Sequence, residues 1–219
     1  VRTSWGRENT QVKRKEGEPA LSFAGWISSE AGQKLFGLAG RKLEEMLKLS
    51  EERNFRPIPL GIRIRGRLPT KVRPIETRNV AAMVEGSDPK LKQEAVILSA
   101  HWDHLGVGEP VHGDAIYNGA VDNATGCAIL MEMARAWALL ERKPRRSALF
   151  LALTAEDGGL LGSEYYAAHP IFPPGKTAAG LNFDAFYPFG RTRDVTMGGA
   201  ERTTLWPILQ DLARRAGYE

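Results

Sequence analysis

The stretch 95–126 constrains this chain more than any other. It opens on an apolar, β-branched run (Ala95, Val96, Ile97, Leu98) that reads as a buried strand. The run ends on His101-Trp102-Asp103-His104, a cluster of groups that bind metals or move protons. A Gly- and Asp-rich loop follows, and Asp122-Asn123 closes it just before a helical pattern. A strand that delivers polar groups at its C-terminal end, followed by a loop and a helix, suits the site edge of an open α/β sheet. Taken singly, each group has a plainer explanation: His101 as a satisfied surface histidine, Asp122 or Asn123 as a helix N-cap. The recurrence of the same architecture further along the chain decides against it.

Residues 148–153 form a second continuous apolar run and end on Thr154-Ala155-Glu156-Asp157, and residues 178–183 form a third that ends on Asp184. In a parallel set, the C-terminal ends of the strands share one edge. His101, Asp122, Glu156, Asp157 and Asp184 would then meet there, and uncompensated carboxylates raise one another's pKa while burial adds a desolvation cost. A divalent metal turns that repulsion into coordination. Histidine with Asp and Glu but without Cys suits a hydrolytic zinc site that keeps an open position. The surplus of carboxylates points to two metals sharing one bridging carboxylate, able to act together on a water and a carbonyl. Adjacent Glu156 and Asp157 cannot both point the same way in an extended chain. One is read as a ligand and the other as a general base, although two acids in a loop are by themselves a common solvated feature.

Capping and punctuation give the remaining elements. Residues 1–25 are polar, carry the run Lys13-Arg14-Lys15-Glu16, and read as a linker or the remnant of a preceding unit. Ser28 or Ser29 caps an expected helix carrying Leu35, Phe36, Leu38 and Ala39, which Gly40 breaks; a second, with Leu43, Met46 and Leu47, runs to Ser50. Residues 60–67 alternate and predict a strand whose wet face carries Arg63, Arg65 and Arg67. Strands are predicted over 79–85 and 94–100, joined by the turn Gly86-Ser87-Asp88-Pro89, and so short a connection predicts that they pair antiparallel. The sheet is therefore expected to be mixed. Cys127, Leu130, Met131, Ala134, Trp137 and Ala138 share a face of a helix predicted over 124–140. Ser163 is expected to cap a helix over 164–168 that Pro170 stops, and Thr203 or Thr204 the last helix, with Ile208, Leu209, Leu212, Ala213 and Ala216 as its stripe.

With 219 residues, 42% hydrophobic and 26% charged, the chain can hold one large α/β domain, or a domain plus part of another. The net charge of +4 comes without basic and aromatic residues alternating on one element, which argues against nucleic acid as a partner. The single cysteine, Cys127, excludes an intrachain disulfide and a Cys-based zinc site. No run is long and apolar enough for a membrane span, and no signal peptide is visible in a chain that begins at Val1.

Four segments, SAHWDHLGVG (99–108), GDAIYNGAVDNATGCA (113–128), TAEDGGLLGSEYYAAHP (154–170) and GLNFDAF (180–186), carry a resemblance in order, spacing and strand placement. The chain resembles the family of di-zinc exopeptidases that contains bacterial secreted aminopeptidases and glutamate carboxypeptidase. The resemblance covers 79–219 and extends to 26–78. It implies an α/β fold of the zinc-exopeptidase, phosphorylase/hydrolase-like type, with a mixed, mostly parallel central sheet flanked by helices in three layers. Residues 26–219 would be the catalytic domain, and 1–25 a linker or the tail of an inserted protease-associated domain.

The resemblance also implies roles. His101 and Asp184 would hold one zinc, Asp157 the other, and Asp122 would bridge both. Glu156 would be the general base, and Asp103 would orient His101 through its second ring nitrogen. The Asp122–Asn123 peptide would be cis. His104 is read as a supporting or structural residue, His112 and His169 as loop and helix-end residues. Two positions depart from the family: Asp157 stands where a second Glu is usual, and no histidine follows His169 to complete the second zinc. The chain is therefore read as a catalytic domain incomplete at its C-terminus and inactive by itself. The implied activity is that of an aminopeptidase on peptide or protein N-termini, with two zinc ions and a secreted or periplasmic location. A carboxypeptidase or glutaminyl-cyclase-like enzyme is the alternative on the same scaffold. A non-catalytic, receptor-like relative is the alternative from another class, against which the joint presence of His101, Asp122, Glu156 and Asp184 counts.

Overall fold

The apolar runs form strands because β-branched and large side chains on both faces suit a sheet covered on both sides. In the computed structural model, which describes residues 10–13, 17, 25–67, 69, 71–186, 190 and 192–218, the strands are β1 (Val80–Val84), β2 (Ala95–His101), β3 (Gly106–Val111), β4 (Asp114–Tyr117), β5 (Ser147–Leu153) and β6 (Thr177–Asn182). The helices are α1 (Ser29–Leu38), α2 (Leu43–Ser50), α3 (Ala124–Leu139), α4 (Leu161–Ala168) and α5 (Trp206–Arg215). Most of the stretch 1–25, expected to be a linker, lies outside the described residues. The chain divides into two compact units, Val1–Lys13 with Ile75–Glu219, and Arg14–Pro74.

In the larger unit the main sheet has the order β1-β5-β2-β6. β2 runs parallel to both β5 and β6, and β1 runs antiparallel to β5. The expected mixed, mostly parallel sheet flanked by helices is therefore present. From β2 the chain passes to β5 on one side and then returns to β6 on the other. This reversal beside β2 is where open α/β sheets form a crevice at their C-terminal edge. Beneath that edge, Leu98, Ala100, Ala148 and Phe150 pack with Leu130 of α3, and Cys127, Ala134 and Trp137 close the cluster. The Trp137 ring meets Phe150 edge-on, with centroids 5.6 Å apart at 76°, a geometry worth roughly 0.5–1.5 kcal/mol beyond its buried area.

Three expectations need correction. β1 does not pair with β2, because β5 lies between them. The turn crosses the start of β5: the Ser87 N–H donates to the Pro144 carbonyl (2.8 Å), and the Gly86 N–H donates to Ser147 Oγ (3.1 Å). The Ser147 hydroxyl in turn donates to the Lys92 carbonyl at 2.7 Å. Gly86 is required there, since a Cβ would lie 2.6 Å from the Arg146 carbonyl carbon. Second, residues 60–67 form no strand. Gly61 takes a φ of 68°, Ile64 is 78% exposed, and the smaller unit offers no strand among the described residues to pair with. Third, the loop after His104 contains the antiparallel β3–β4 hairpin. Its two-residue turn, His112-Gly113, has φ of 52° and 87°, the double left-handed conformation that a two-residue turn matching the strand twist requires. The register shifts between Val107 and Val111, where Pro110 cannot donate to the ladder.

Helix boundaries follow local caps. Ser28 Oγ accepts from the Ala31 N–H at 3.1 Å and starts α1 as expected. α4 begins earlier than expected, after Leu160 in the left-handed region, so Ser163 lies inside it and caps nothing. α5 starts at Trp206, with Thr203 Oγ1 accepting from the Leu205 N–H ahead of it.

Asp88 secures the turn that carries the chain across β5. Its carboxylate accepts from the Lys90 and Leu91 N–H groups (2.9 and 3.0 Å) and from Arg145 Nη2 (2.9 Å). The backbone donors of Leu91 and Lys90, then the Arg145 guanidinium, hold the carboxyl down at about 2, from an ordinary 3.8. A depressed folded-state pKa gives stability that is present above the unfolded value and lost as pH falls through the folded one. Asp88→Ala is expected to lower the thermal midpoint by an amount that is full above pH 3.8 and shrinks as pH falls to about 2. A gap between wild type and variant that stays constant over that range would remove Asp88 from the account.

Candidate metal centre

Three parallel strands and one helix deliver the site. β2 ends on His101, and the Trp102 N–H donates to the Leu153 carbonyl at 2.8 Å while its indole N–H donates to the Arg78 carbonyl at 3.2 Å. These bonds fix the turn that carries Asp103 and His104. β5 runs into Thr154, whose N–H donates to Asn79 Oδ1 (3.1 Å); Asn79 Nδ2 donates to the Gly162 carbonyl (2.8 Å), so one amide clamps both ends of the loop bearing Glu156 and Asp157. Ala155 has φ of 53°, and Ala185, directly after Asp184, has 47°. Each is a left-handed conformation costing a non-glycine residue roughly 1–3 kcal/mol, a strain that clusters at functional sites.

Asp122 precedes α3 through a cis peptide to Asn123. Asn123 is 2% exposed and does more than cap the helix. Its Oδ1 accepts from the Gly126 N–H (3.0 Å) and from the Ala185 N–H (3.3 Å), and its Nδ2 donates to the Phe183 carbonyl (2.9 Å). One side chain thus joins the start of α3 to the backbone on either side of Asp184. Gly126 leaves room for this, since a Cβ there would sit 2.6 Å from the Phe183 carbonyl oxygen.

His101 is 2% exposed, and its Nδ1 donates to the Asp103 carbonyl at 3.0 Å. A carbonyl can only accept, so Nδ1 carries the proton and Nε2 presents its lone pair. Around Nε2 stand Asp122 Oδ1 at 3.0 Å, Asp184 Oδ1 at 3.4 Å and Glu156 Oε2 at 3.9 Å. The hydrogen bond that this ring was expected to donate to the Asp103 carboxylate goes to the Asp103 backbone carbonyl instead. The carboxylate is 3.9 Å from Nδ1 and accepts from the Glu156 N–H at 3.1 Å, which ties the β2 turn to the β5 loop. His104 completes the cluster, its Nδ1 standing 3.1 Å from Asp157 Oδ2 and 4.0 Å from Asp122 Oδ2.

Burial pushes the His101 imidazole down, but its bond to the Asp103 carbonyl and the charges of Glu156, Asp184 and Asp122 outweigh that and hold it above its ordinary value. Burial raises the Glu156 carboxyl; His101 opposes the shift, and Asp157, Asp184 and Asp103 add to it. Burial, then Asp103, also raises the Cys127 thiol, whose sulfur donates to the His101 carbonyl, so Cys127 is a packing residue and a poor nucleophile.

The donor set fits divalent metal. His101, Asp122 and Asp184, and separately His104, Asp122 and Asp157, each offer one ligand atom within 4.8 Å of the others. Tetrahedral zinc with bonds of about 2.0–2.2 Å places neighbouring donor atoms about 3.3–3.6 Å apart; around His101 Nε2, Asp184 at 3.4 Å falls in that range and Asp122 at 3.0 Å stands slightly inside it. His104 Nδ1 is buried and has no hydrogen-bond partner, a deficit that costs about 1–3 kcal/mol when nothing fills it.

The sequence model of Peptidase family M28 matches residues 79–219. This chain belongs to Peptidase family M28. Among curated proteins, the M28 chain is 34% identical over 94 residues to a "probable zinc metalloprotease" from Leptosphaeria maculans, covering 43% of this chain and 21% of that protein. It is 33% identical over 93 residues to a "probable leucine aminopeptidase 2" from Aspergillus oryzae, covering 42% of this chain and 16% of that protein. The matched stretch thus spans 16–21% of those relatives' lengths. A solved peptidase M28 precursor from Shewanella amazonensis SB2B is 26% identical, with 64% of this chain and 29% of that chain covered at a TM-score of 0.45.

In the M28 chain, His101, Asp122, Glu156, Asp157 and Asp184 come together at one edge, as expected of them, and His104 joins them. His112 lies in the hairpin turn, and His169 ends α4, stacked on Tyr165 at 4.4 Å. Sequence reasoning missed the double service of Asn123 and the clamp made by Asn79. For Asn123 the helix-start position was visible, whereas its partners at 183–185 depend on β6 lying beside β2. Asn123→Ala is expected to destabilise the protein by about 2–4 kcal/mol in urea unfolding, because one buried and two part-buried backbone groups lose their partner. Asn123→Asp, which keeps the acceptor and loses the donor, should fall between. A loss below about 1 kcal/mol for the alanine variant would contradict this.

Proposed function

We propose that this chain is the catalytic part of a zinc-dependent exopeptidase, an aminopeptidase that removes residues from peptide N-termini with two zinc ions and Glu156 as general base. The observation that carries this reading is the Asp122 carboxylate. Its Oδ1 faces His101, beside Asp184, and its Oδ2 faces His104, beside Asp157. A carboxylate with one oxygen toward each of two donor groups is the arrangement that a bridging ligand needs.

His101 and Asp184 would hold one ion and Asp157 the other, with Asp122 shared. Zinc bound there supplies Lewis acidity toward a peptide carbonyl and toward water. Glu156 receives at its carboxylate the proton of the attacking water and returns it to the leaving amine. The Asp103 carboxylate acts one step away, holding the Glu156 N–H and so the base's backbone. The name of the Aspergillus oryzae relative, a leucine aminopeptidase, supports the N-terminal preference. Residues 26–219 would form the catalytic domain.

Glu156→Gln in the full-length protein is expected to lower kcat/KM on an aminoacyl anilide by about 100- to 10,000-fold while zinc content stays unchanged. Zinc loss with activity kept would sink the role of Glu156. Asp122→Ala is expected to empty both positions, read as zinc per chain by elemental analysis, and an unaltered stoichiometry would rule out the shared carboxylate.

A further inference from the structure

We infer that His104 is a direct ligand at the second metal position, through Nδ1, together with Asp122 Oδ2 and Asp157. The inference rests on the two-ion reading above and adds a ligand to it.

His104 Nδ1 and Tyr166 Oη are the buried side-chain polar atoms that lack a hydrogen-bond partner among the described residues. For His104 the lack is not one of neighbours, since Asp157 Oδ2 lies at 3.1 Å and Asp122 Oδ2 at 4.0 Å. The contact to Asp157 lacks the alignment of an N–H···O bond, and the one to Asp122 is too long for one. If Nδ1 carries a proton, the proton misses both carboxylates. If Nδ1 is bare, its lone pair meets no donor, and the two carboxylates beside it leave it in a field of negative charge. A cation among the three atoms resolves both cases, because a neutral imidazole and two carboxylates then all point their electrons at it. The spacing agrees, with the three ligand atoms within 4.8 Å of one another.

Two further features set the ring for this role. Gly119, at φ of 67°, lies against it so closely that a Cβ would be 2.8 Å from His104 Cβ and 2.9 Å from Cγ. The ring is thus seated against bare backbone, next to the loop that carries Asp122. The arrangement also repeats the first position: one imidazole nitrogen, one oxygen of Asp122 and one further aspartate, Asp184 there and Asp157 here. With Asp157 supplying a shorter side chain than Glu, a ligand fixed on the adjacent turn compensates in reach.

The test uses the full-length protein loaded with zinc alone and, separately, with ¹¹³Cd in ring-¹⁵N-histidine protein. Wild type is expected to bind two zincs, and His104→Ala to keep one at wild-type affinity and bind the second more than about 100-fold more weakly, beyond the 10- to 100-fold that loss of a supporting residue gives. In wild type, a one-bond ¹¹³Cd–¹⁵N coupling is expected at His104 Nδ1, a readout that holds even if the variant folds poorly. A second affinity weakened by less than that, or no coupling at His104 while His101 Nε2 shows one, overturns the inference and leaves the two-ion reading intact. Wild type that binds no zinc overturns both.

Discussion

The full-length parallel pairing of β2 with β5 is the constraint on which the site depends. Its register runs unbroken from Ala95 opposite Ser147 to His101 opposite Leu153. Both strands therefore end at the same height, and the residues that follow, Asp103 on one and Glu156 on the other, come close enough for a direct hydrogen bond. A slip of one residue would turn every side chain to the opposite face. Leu98, Ala100, Ala148 and Phe150 would then leave α3, and His101 would leave the edge it shares with Asp184. The apolar core thus sets the positions of the polar cluster above it.

That cluster is held against its own electrostatics. Asp122, Asp157, Asp184 and Glu156 gather around two imidazoles, and burial together with the mutual repulsion of acids keeps Glu156 above its ordinary value. Such groups disperse unless their backbones are tied. Beside the Asp103 carboxylate on the Glu156 N–H, the ties are neutral: the Asn79 amide on the β5 loop, the Asn123 amide between α3 and the β6 exit, and the Asp103 carbonyl on His101. Neutral amides bring no further charge into the edge, and each offers donor and acceptor together.

What could be read from the sequence follows the range of the interactions. The apolar strands, α3 and the gathering of His101, Asp122, Glu156, Asp157 and Asp184 were legible, since run length and the shared edge of parallel strands are local or topological facts. The N-cap at Ser28 was legible for the same reason. The partner of β1 was not, because a short turn suggests pairing and only the packing of Gly86 under the Arg145–Ser147 backbone shows that β5 intervenes. The β3–β4 hairpin was hidden by an uncommon turn pair, His112-Gly113, where Asn-Gly would have announced it. The alternation at 60–67 misled, because a two-residue period needs a partner strand before it becomes a sheet. Asp103 lies beside His101, but whether its carboxylate or its carbonyl serves the ring depends on a turn geometry that spacing does not fix.

The double bonding of Asn123 reaches beyond the geometry of the site. Its amide engages the Phe183 carbonyl 60 positions away and the Gly126 N–H three positions away in one rotamer. Aspartate lacks the donor, leucine lacks both functions, and glutamine is a methylene too long for a cavity that already excludes a Cβ at Gly126. The helix start and the strand exit are therefore mechanically coupled through one side chain. A displacement of the chain at Gly126 or around Phe183–Ala185 must accommodate the same amide, so strain entered at one segment is felt at the other.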